Sequence, residues 1–304
     1  MQVICATDGN YLRHCVAMLQ SLRKQNQRDD LSVHLIFDRA DSQQLSTAVG
    51  HLHDLLPSFS LLQASPEPLK GFPVNGHATI ATYFRLLVPE LLPSSSERVI
   101  FIDSDTIISS SLDELWEMPL QGKALAAVPE HRLSCRDHGY IYGEYFNAGI
   151  MLIDLKKWRS SQLMERGRRF AQDHPDRLRH WDQDVLNHVF TGDWLPLDDR
   201  WNACPHLFGL TGGYEEFSEQ LSQSERQAII NPAIIHFAGP GPVKPWNARC
   251  KHPLRDRYLE AKSQTPWAKI PLDDSPPPAW KSATKDMVFQ GKCFLKEKLR
   301  ALKP

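Results

Sequence analysis

Four apolar runs of strand length, Val3 to Thr7, Val33 to Phe37, Phe59 to Gln63 and Val99 to Ile102, punctuate the first third of the chain. Between them Tyr11 to Gln25, Ser42 to His53 and Thr79 to Leu91 carry helical spacing of apolar positions. Strands alternating with helices predict βαβ units and a mostly parallel sheet. Further strand character at Ala124 to Val128, Tyr145 to Leu155 and Ala233 to Ala238, with one long helical pattern near Trp158 to Gln172, predicts that the sheet continues toward the end of the chain. The expected class is α/β: a mixed, mostly parallel sheet flanked by helices.

Prolines from Pro266 to Pro278, three of them consecutive, resist helix and sheet alike. The chain therefore divides into a body (residues 1–265), a linker (266–280) and a C-terminal segment (281–304). In that segment Val288, Leu295, Leu299 and Leu302 share one side of a helical wheel, with Lys292, Lys296, Lys298 and Arg300 interspersed. Seven Lys or Arg against two Asp or Glu between Lys281 and Lys303 make it a basic amphipathic helix, suited to an anionic membrane surface or to packing on the body.

Composition adds exclusions. The net charge is −1 over 304 residues, and with the basic tail set aside the body is acidic, which argues against a nucleic-acid partner. The six cysteines are scattered without a CxxC pair, as suits a reduced cytosolic compartment. The opening residues enter a strand directly, and no apolar run approaches the ~20 residues that span a bilayer. A cytoplasmic protein is expected, peripheral on the inner face of the membrane if the tail binds lipid.

The chemistry concentrates at Arg98 to Ile108, RVIFIDSDTII. Val99 to Ile102 is apolar on both faces, as in a central parallel strand, and α/β proteins place their sites at the carboxyl ends of such strands. Asp103 and Asp105 follow, and residues two apart on a strand project the same way, so the pair can grip one hard cation. Acidic pairs also cap helices or sit solvated in turns. His236, ending the apolar run Ile234-Ile235, is a candidate third ligand, although a lone histidine is more often structural. Carboxylates plus imidazole suit Mn2+, with Mg2+ also compatible. Gly239 and Gly241 permit close backbone approach, and Lys244 can bring a cation to a phosphate, which together point to a diphosphate.

Over roughly residues 1 to 260 the sequence resembles glycosyltransferase family 8, the bacterial lipopolysaccharide galactosyl- and glucosyltransferases and their relatives. The motifs are ATDGNY (Ala6 to Tyr11), ATYFRLLVPELLP (Ala81 to Pro93), FIDSDTII, YFNAGIMLIDLKKWR (Tyr145 to Arg159), WDQDVLN (Trp181 to Asn187), RWN (Arg200 to Asn202) and HFAGPGPVKPW (His236 to Trp246). The resemblance implies a GT-A fold and retaining, Mn2+-dependent transfer of galactose or glucose from a UDP-hexose to a saccharide or glycolipid acceptor such as lipopolysaccharide. It implies Asp103, Asp105 and His236 as metal ligands, Ala6, Asp8 and Asn10 around the uridine, and Lys244 on the diphosphate. Ser104 and Gly239 join the donor-binding set, Arg85, Asn147, Asp182 and Gln183 surround the donor sugar, and His77 falls on the acceptor side. Gln183 or Asp182 would offer an oxygen to an oxocarbenium-like sugar. The neutral amide favours a same-face reaction over a covalent intermediate.

Singly, these residues have plainer uses. Asp8-Gly9-Asn10 can be a turn, Arg85 a surface ion pair, Asn147 to Gly149 a bend, and Trp181 and Trp246 core. Two departures stand out: the loop from Gly239 to Lys244 is longer than in many relatives, and Glu130 stands where relatives often carry Asp. Two rival functions remain. FIDSDT also resembles the nucleophile motif of haloacid dehalogenase-type phosphohydrolases, with Asp103 as nucleophile. The other rival is a nucleotide-sugar binding protein without turnover.

Overall fold

The structure is a computed structural model that describes residues 1–38, 42–74, 79–131, 135, 139–210 and 221–273. His77, the linker from residue 274 and the basic segment 281–304 lie outside the described residues. The four early strands appear as β1 (Gln2–Thr7), β2 (Ser32–Phe37), β3 (Ser58–Gln63) and β4 (Arg98–Ile102). They are followed by β5 (Thr106–Ile108), β6 (Leu125–Pro129), β7 (Phe146–Asp154), β8 (Trp194–Pro196) and β9 (Ile234–His236).

Seven strands form one sheet in the order β3-β2-β1-β4-β7-β6-β8. Strands β3, β2, β1 and β4 run parallel, β7 is antiparallel to both its neighbours, and β8 is parallel to β6. Alternate residues of each central strand enter opposite cores. Ile4, Ile36, Val99, Phe101, Met151 and Ile153 face one, while Val3, Cys5, Val33, Leu35, Ile100 and Ile102 face the other. Burial on both faces explains why these strands read as continuous apolar runs. Helices α1 (Leu12–Gln25) and α2 (Ser42–Leu55) cover the second core, through Cys15, Val16, Leu19 and Leu22 and through Ala48 and Leu52.

Three sequence expectations change. The segment expected as a helix from Thr79 to Leu91 is a 3-10 stretch, Ile80–Leu87, followed by one α turn, Val88–Leu91. Pro89 has no N–H and its ring crowds the carbonyl of Arg85, which blocks a continuous α-helix. The long helix expected near Trp158 to Gln172 is two helices, Leu155–Ser160 and Leu163–Asp173, broken at Gln162 in the left-handed region (φ 55°). The Ser160 and Ser161 hydroxyls donate to the carbonyls of Lys157 and Trp158, competing with helix continuation. The late strand β9 does not extend the main sheet. It pairs antiparallel with β5 in a separate two-stranded sheet.

Residues 266–273 are fastened to the body. Lys262 Nζ donates to the carbonyls of Ala268 and Ile270, and Arg13 Nη2 pairs with Asp273 at 2.5 Å. Among the described residues no helix is long and apolar enough to cross a membrane.

Candidate active site

The acidic pair lies in the turn between β4 and β5, so strand alternation is not what brings its carboxylates together. Asp103 is the last residue held to the large sheet, its N–H donating to the Gly149 carbonyl of β7 (2.9 Å). Asp105 is the first held to the small sheet, its carbonyl accepting from the N–H of Phe237 beyond β9 (2.9 Å). The Thr106 hydroxyl donates to the Asp103 carbonyl and closes the turn (2.8 Å). Ser104 donates to the carbonyl of Ala6 (2.7 Å), which ties this turn to the end of β1.

Strand pairing of β5 with β9 sets Thr106 opposite His236 and so swings the imidazole over the turn. One ligand atom from each of Asp103, Asp105 and His236 lies within 4.8 Å of the others. Nε2 of His236 is 3.2 Å from Asp105 Oδ1 and 3.9 Å from Asp103 Oδ2. Its Nδ1 is 2.8 Å from Asn202 Oδ1. Gly149 allows this placement: a Cβ there would sit 2.4 Å from Cε1 of the ring.

Two buried cations flank the trio. Arg85 Nη2 donates to Asp103 Oδ1 (2.8 Å), Nη1 donates to the Ala148 carbonyl (2.5 Å), and the guanidinium carbon stacks 4.7 Å over the Phe101 ring. Arg85 Nε lies 2.7 Å from Asp182 Oδ2, a charge contact outside hydrogen-bond alignment. Arg85 is therefore no surface ion pair. Lys244 Nζ donates to Asp105 Oδ2 and lies 5.5 Å from the ring centres of Tyr11 and Trp246. Despite its length, the loop from Gly239 returns Lys244 to the site, through positive φ at Gly239 and Gly241 and a 3-10 turn over Gly241–Val243.

Electrostatics follow from this crowding. Burial alone would raise Asp105, but Lys244 and His236 outweigh it and hold the carboxyl well below the usual range. Burial pushes Asp103 up, only partly offset by Arg85. Burial would lower His236, yet the facing Asp105 carboxylate lifts it well above an ordinary histidine. Asp182, desolvated at the start of the helix Asp182–Val189, is raised to about 7 although Arg85 opposes the shift. The residue before it, Trp181, sits at φ 48°, a strained position for a bulky side chain, costing on the order of 1–3 kcal/mol.

The remaining sequence candidates fall around this centre. Gln183 Oε1 accepts from the Ala148 N–H (2.9 Å), so its carbonyl is turned toward the backbone of β7. Asn147 Oδ1 accepts from the Gly149 N–H (3.0 Å) and from Asn202 Nδ2 (2.8 Å). Asp8 Oδ1 accepts from the N–H groups of Asn10 and Tyr11, a turn that starts α1, while Asn10 itself is exposed. Gly239 is exposed at the rim. Two residues without an assigned role also belong here. Asn202 bonds the His236 imidazole, and Glu130 Oε2 accepts from both Asn147 Nδ2 and Gln183 Nε2 (3.0 Å each). Asn202 stands in the RWN motif, and Glu130 shows in the sequence only as a departure from the family pattern. Their contacts span tens of residues, which local spacing cannot show.

Known proteins resemble this chain over most of its length. General stress protein A of Bacillus subtilis is 30% identical over 281 residues, covering 89% of this chain and 96% of that protein. The lipopolysaccharide 1,3-galactosyltransferase of Salmonella typhimurium is 26% identical over 281 residues, covering 87% and 78%. The crystal structure of the galactosyltransferase LgtC in complex with donor and acceptor sugar analogues superposes with a TM-score of 0.74 at 24% identity, covering 94% of this chain and all of that one. This likeness shows the GT-A fold. The glycosyl transferase family 8 model matches residues 2–250, and the chain belongs to that family of transferase enzymes.

Proposed function

We propose that the chain transfers a hexose from a UDP-sugar to a saccharide acceptor with retention of configuration, with Asp103, Asp105 and His236 holding Mn2+. The convergence of those three ligand atoms within 4.8 Å, between Arg85 and Lys244, carries this reading. The donor set fits a hard divalent cation: two carboxylates and an imidazole nitrogen converge on one point, and the mixed set favours Mn2+ over Mg2+. When bound, the cation supplies positive charge opposite the negative charge that grows on a departing diphosphate.

The protein's own groups divide the remaining work. Ala6, Asp8 and Asn10 stand at the carboxyl end of β1, where the strand order turns from β2 to β4, the position at which α/β sheets take their nucleotides. Lys244, engaged on Asp105, is the cation that moves to the diphosphate. Asp182 is held by Arg85 with a side chain only 6% exposed, and Gln183 is an amide whose oxygen is already hydrogen-bonded. Neither is presented as a nucleophile, which supports same-face transfer in which the leaving phosphate takes the acceptor's proton. A mass-shifted hexosyl adduct on Asp182 would overturn that mechanism. The family decides against phosphohydrolysis, and the engagement of Asp103 with Arg85 and His236 gives it a ligand's surroundings.

The galactosyltransferase and glucosyltransferase relatives support a lipopolysaccharide-type acceptor. With it go His77 on the acceptor side and a cytoplasmic position against the membrane through residues 281–304. The test is UDP release from a panel of UDP-hexoses with Mn2+, with EDTA, and in Asp103→Asn. Turnover of UDP-galactose or UDP-glucose, lost in the last two conditions, is expected. Stabilisation by UDP and Mn2+ without turnover on any donor or acceptor would make the chain a binding protein instead.

A further inference from the structure

We propose that Glu130 is a positioning residue that, through the side-chain amides of Asn147 and Asn202, dictates which nitrogen of His236 faces the acidic pair. The inference rests on the metal-site reading above and adds residues to which no role has been given.

The relay has two fixed ends. Glu130 is 7% exposed and burial alone would raise its pKa, but His131 and the hydrogen bonds from Asn147 and Gln183 hold it below the usual range. An ionised carboxylate only accepts, so Asn147 and Gln183 must both turn NH2 groups toward Oε2, and they do so at 3.0 Å. That choice points the Asn147 oxygen at the Gly149 N–H, a backbone donor that cannot be reversed (3.0 Å). The same oxygen accepts from Asn202 Nδ2 at 2.8 Å, which leaves Asn202 Oδ1 facing His236 Nδ1 at 2.8 Å. Cys204 adds a weak S–H donor to that oxygen (3.4 Å). Asn202 Oδ1 can only accept, so Nδ1 carries a proton toward it and Nε2 is the nitrogen turned to Asp103 and Asp105, free to exchange its own proton for a cation.

Reversing any single amide sets two donors or two acceptors face to face inside the protein, at about 1–3 kcal/mol per unsatisfied group. Gly149 holds the ring in this place, because a Cβ there would lie 2.4 Å from Cε1 and 2.8 Å from Nδ1. The longer Glu side chain at position 130 is thus the anchor of a chain that ends at a metal ligand. Replacing a group that orients a ligating histidine typically costs roughly 10–100-fold in metal affinity.

The test uses the full-length protein and Mn2+ in the presence of UDP, with free Mn2+ followed by electron paramagnetic resonance. Glu130→Leu and Asn202→Leu are each expected to weaken Mn2+ binding by roughly 10–100-fold. Because both act on one relay, the double variant should bind no worse than the weaker single variant. Leu52→Ala, in α2 and far from the site, controls for lost stability and should bind as wild type does. Nitrogen-15 spectra of His236 in the metal-free protein report the proton on Nδ1 directly, with a hydrogen-bonded Nδ1–H expected in wild type and a population without it appearing in Glu130→Leu. Wild-type affinity in Glu130→Leu, multiplying losses in the double variant, or a wild-type ring with no proton on Nδ1 would each overturn the proposal. If wild type bound no Mn2+, the metal reading would fall, and the spectra would still decide the relay.

Discussion

Gly149 is the position at which a single methyl group should do most harm to the site. Its backbone is ordinary extended strand, so alanine brings no torsional penalty and the effect is steric. The new Cβ would lie 2.4 Å from His236 Cε1 and 2.8 Å from Nδ1, where ordinary contact begins at 3.4 Å. The ring must retreat by about 1 Å, and it sits 4% exposed with no side-chain freedom to spare. A retreat of that size breaks the 2.8 Å bond to Asn202 and moves Nε2 off the line to Asp105. Gly149→Ala should therefore lose about 1.4–2.7 kcal/mol of Mn2+ binding, a 10–100-fold weaker affinity. Overpacking should cost a further ~1–3 kcal/mol of stability. Isothermal titration with Mn2+ in the presence of UDP measures the first, and urea unfolding of the metal-free protein measures the second. A Gly149→Ala protein that binds Mn2+ like wild type would refute the claim that this glycine seats the imidazole.

Other outcomes follow from the same geometry. Arg85→Met leaves the Asp103 and Asp182 carboxylates buried without their cation and should destabilise the metal-free protein by about 3–5 kcal/mol, read by urea unfolding, with Mn2+ restoring part of the loss. Since His236 is raised above an ordinary histidine, its proton competes with the cation, so Mn2+ affinity should climb as pH rises toward that raised value. A flat pH profile would contradict this. Asp182 is raised to about 7, so the fold favours its protonated form and stability should fall as pH goes from ~4 to ~7. Asp182→Asn should flatten that part of the urea-unfolding profile. Removing residues after Pro278 should weaken sedimentation with anionic vesicles and leave UDP-sugar hydrolysis intact, and unchanged vesicle binding would count against the membrane role.

The legible parts of the fold were those with one physical cause. Strands β1, β2 and β4 announced themselves because both faces are buried, and α1 because its apolar positions repeat at helical spacing. Strand β9 was visible as a strand but not as the partner of β5, since three fully buried residues carry no periodicity from which to choose a neighbour. The 3-10 winding of Ile80–Leu87 was hidden because its apolar spacing also fits an α-helix. At the site, carboxylates in a DxD pattern could be recognised, whereas their convergence depends on a turn that strand alternation does not describe. Asn202 and Glu130 were silent for a further reason: an amide acquires direction only from partners brought to it by folding.

The turn from Asp103 to Asp105 is stitched on one side to β7 and on the other to the chain just past β9, while Lys244 arrives later still. A ribosome-bound polypeptide that has emerged only as far as Ile230 thus lacks both His236 and Lys244, two of the groups that crowd the acidic pair. On the proposed reading, competence to hold the ion then waits until the chain past Lys244 has been made and packed onto this turn, so that a half-made enzyme would have no means of discharging activated sugar.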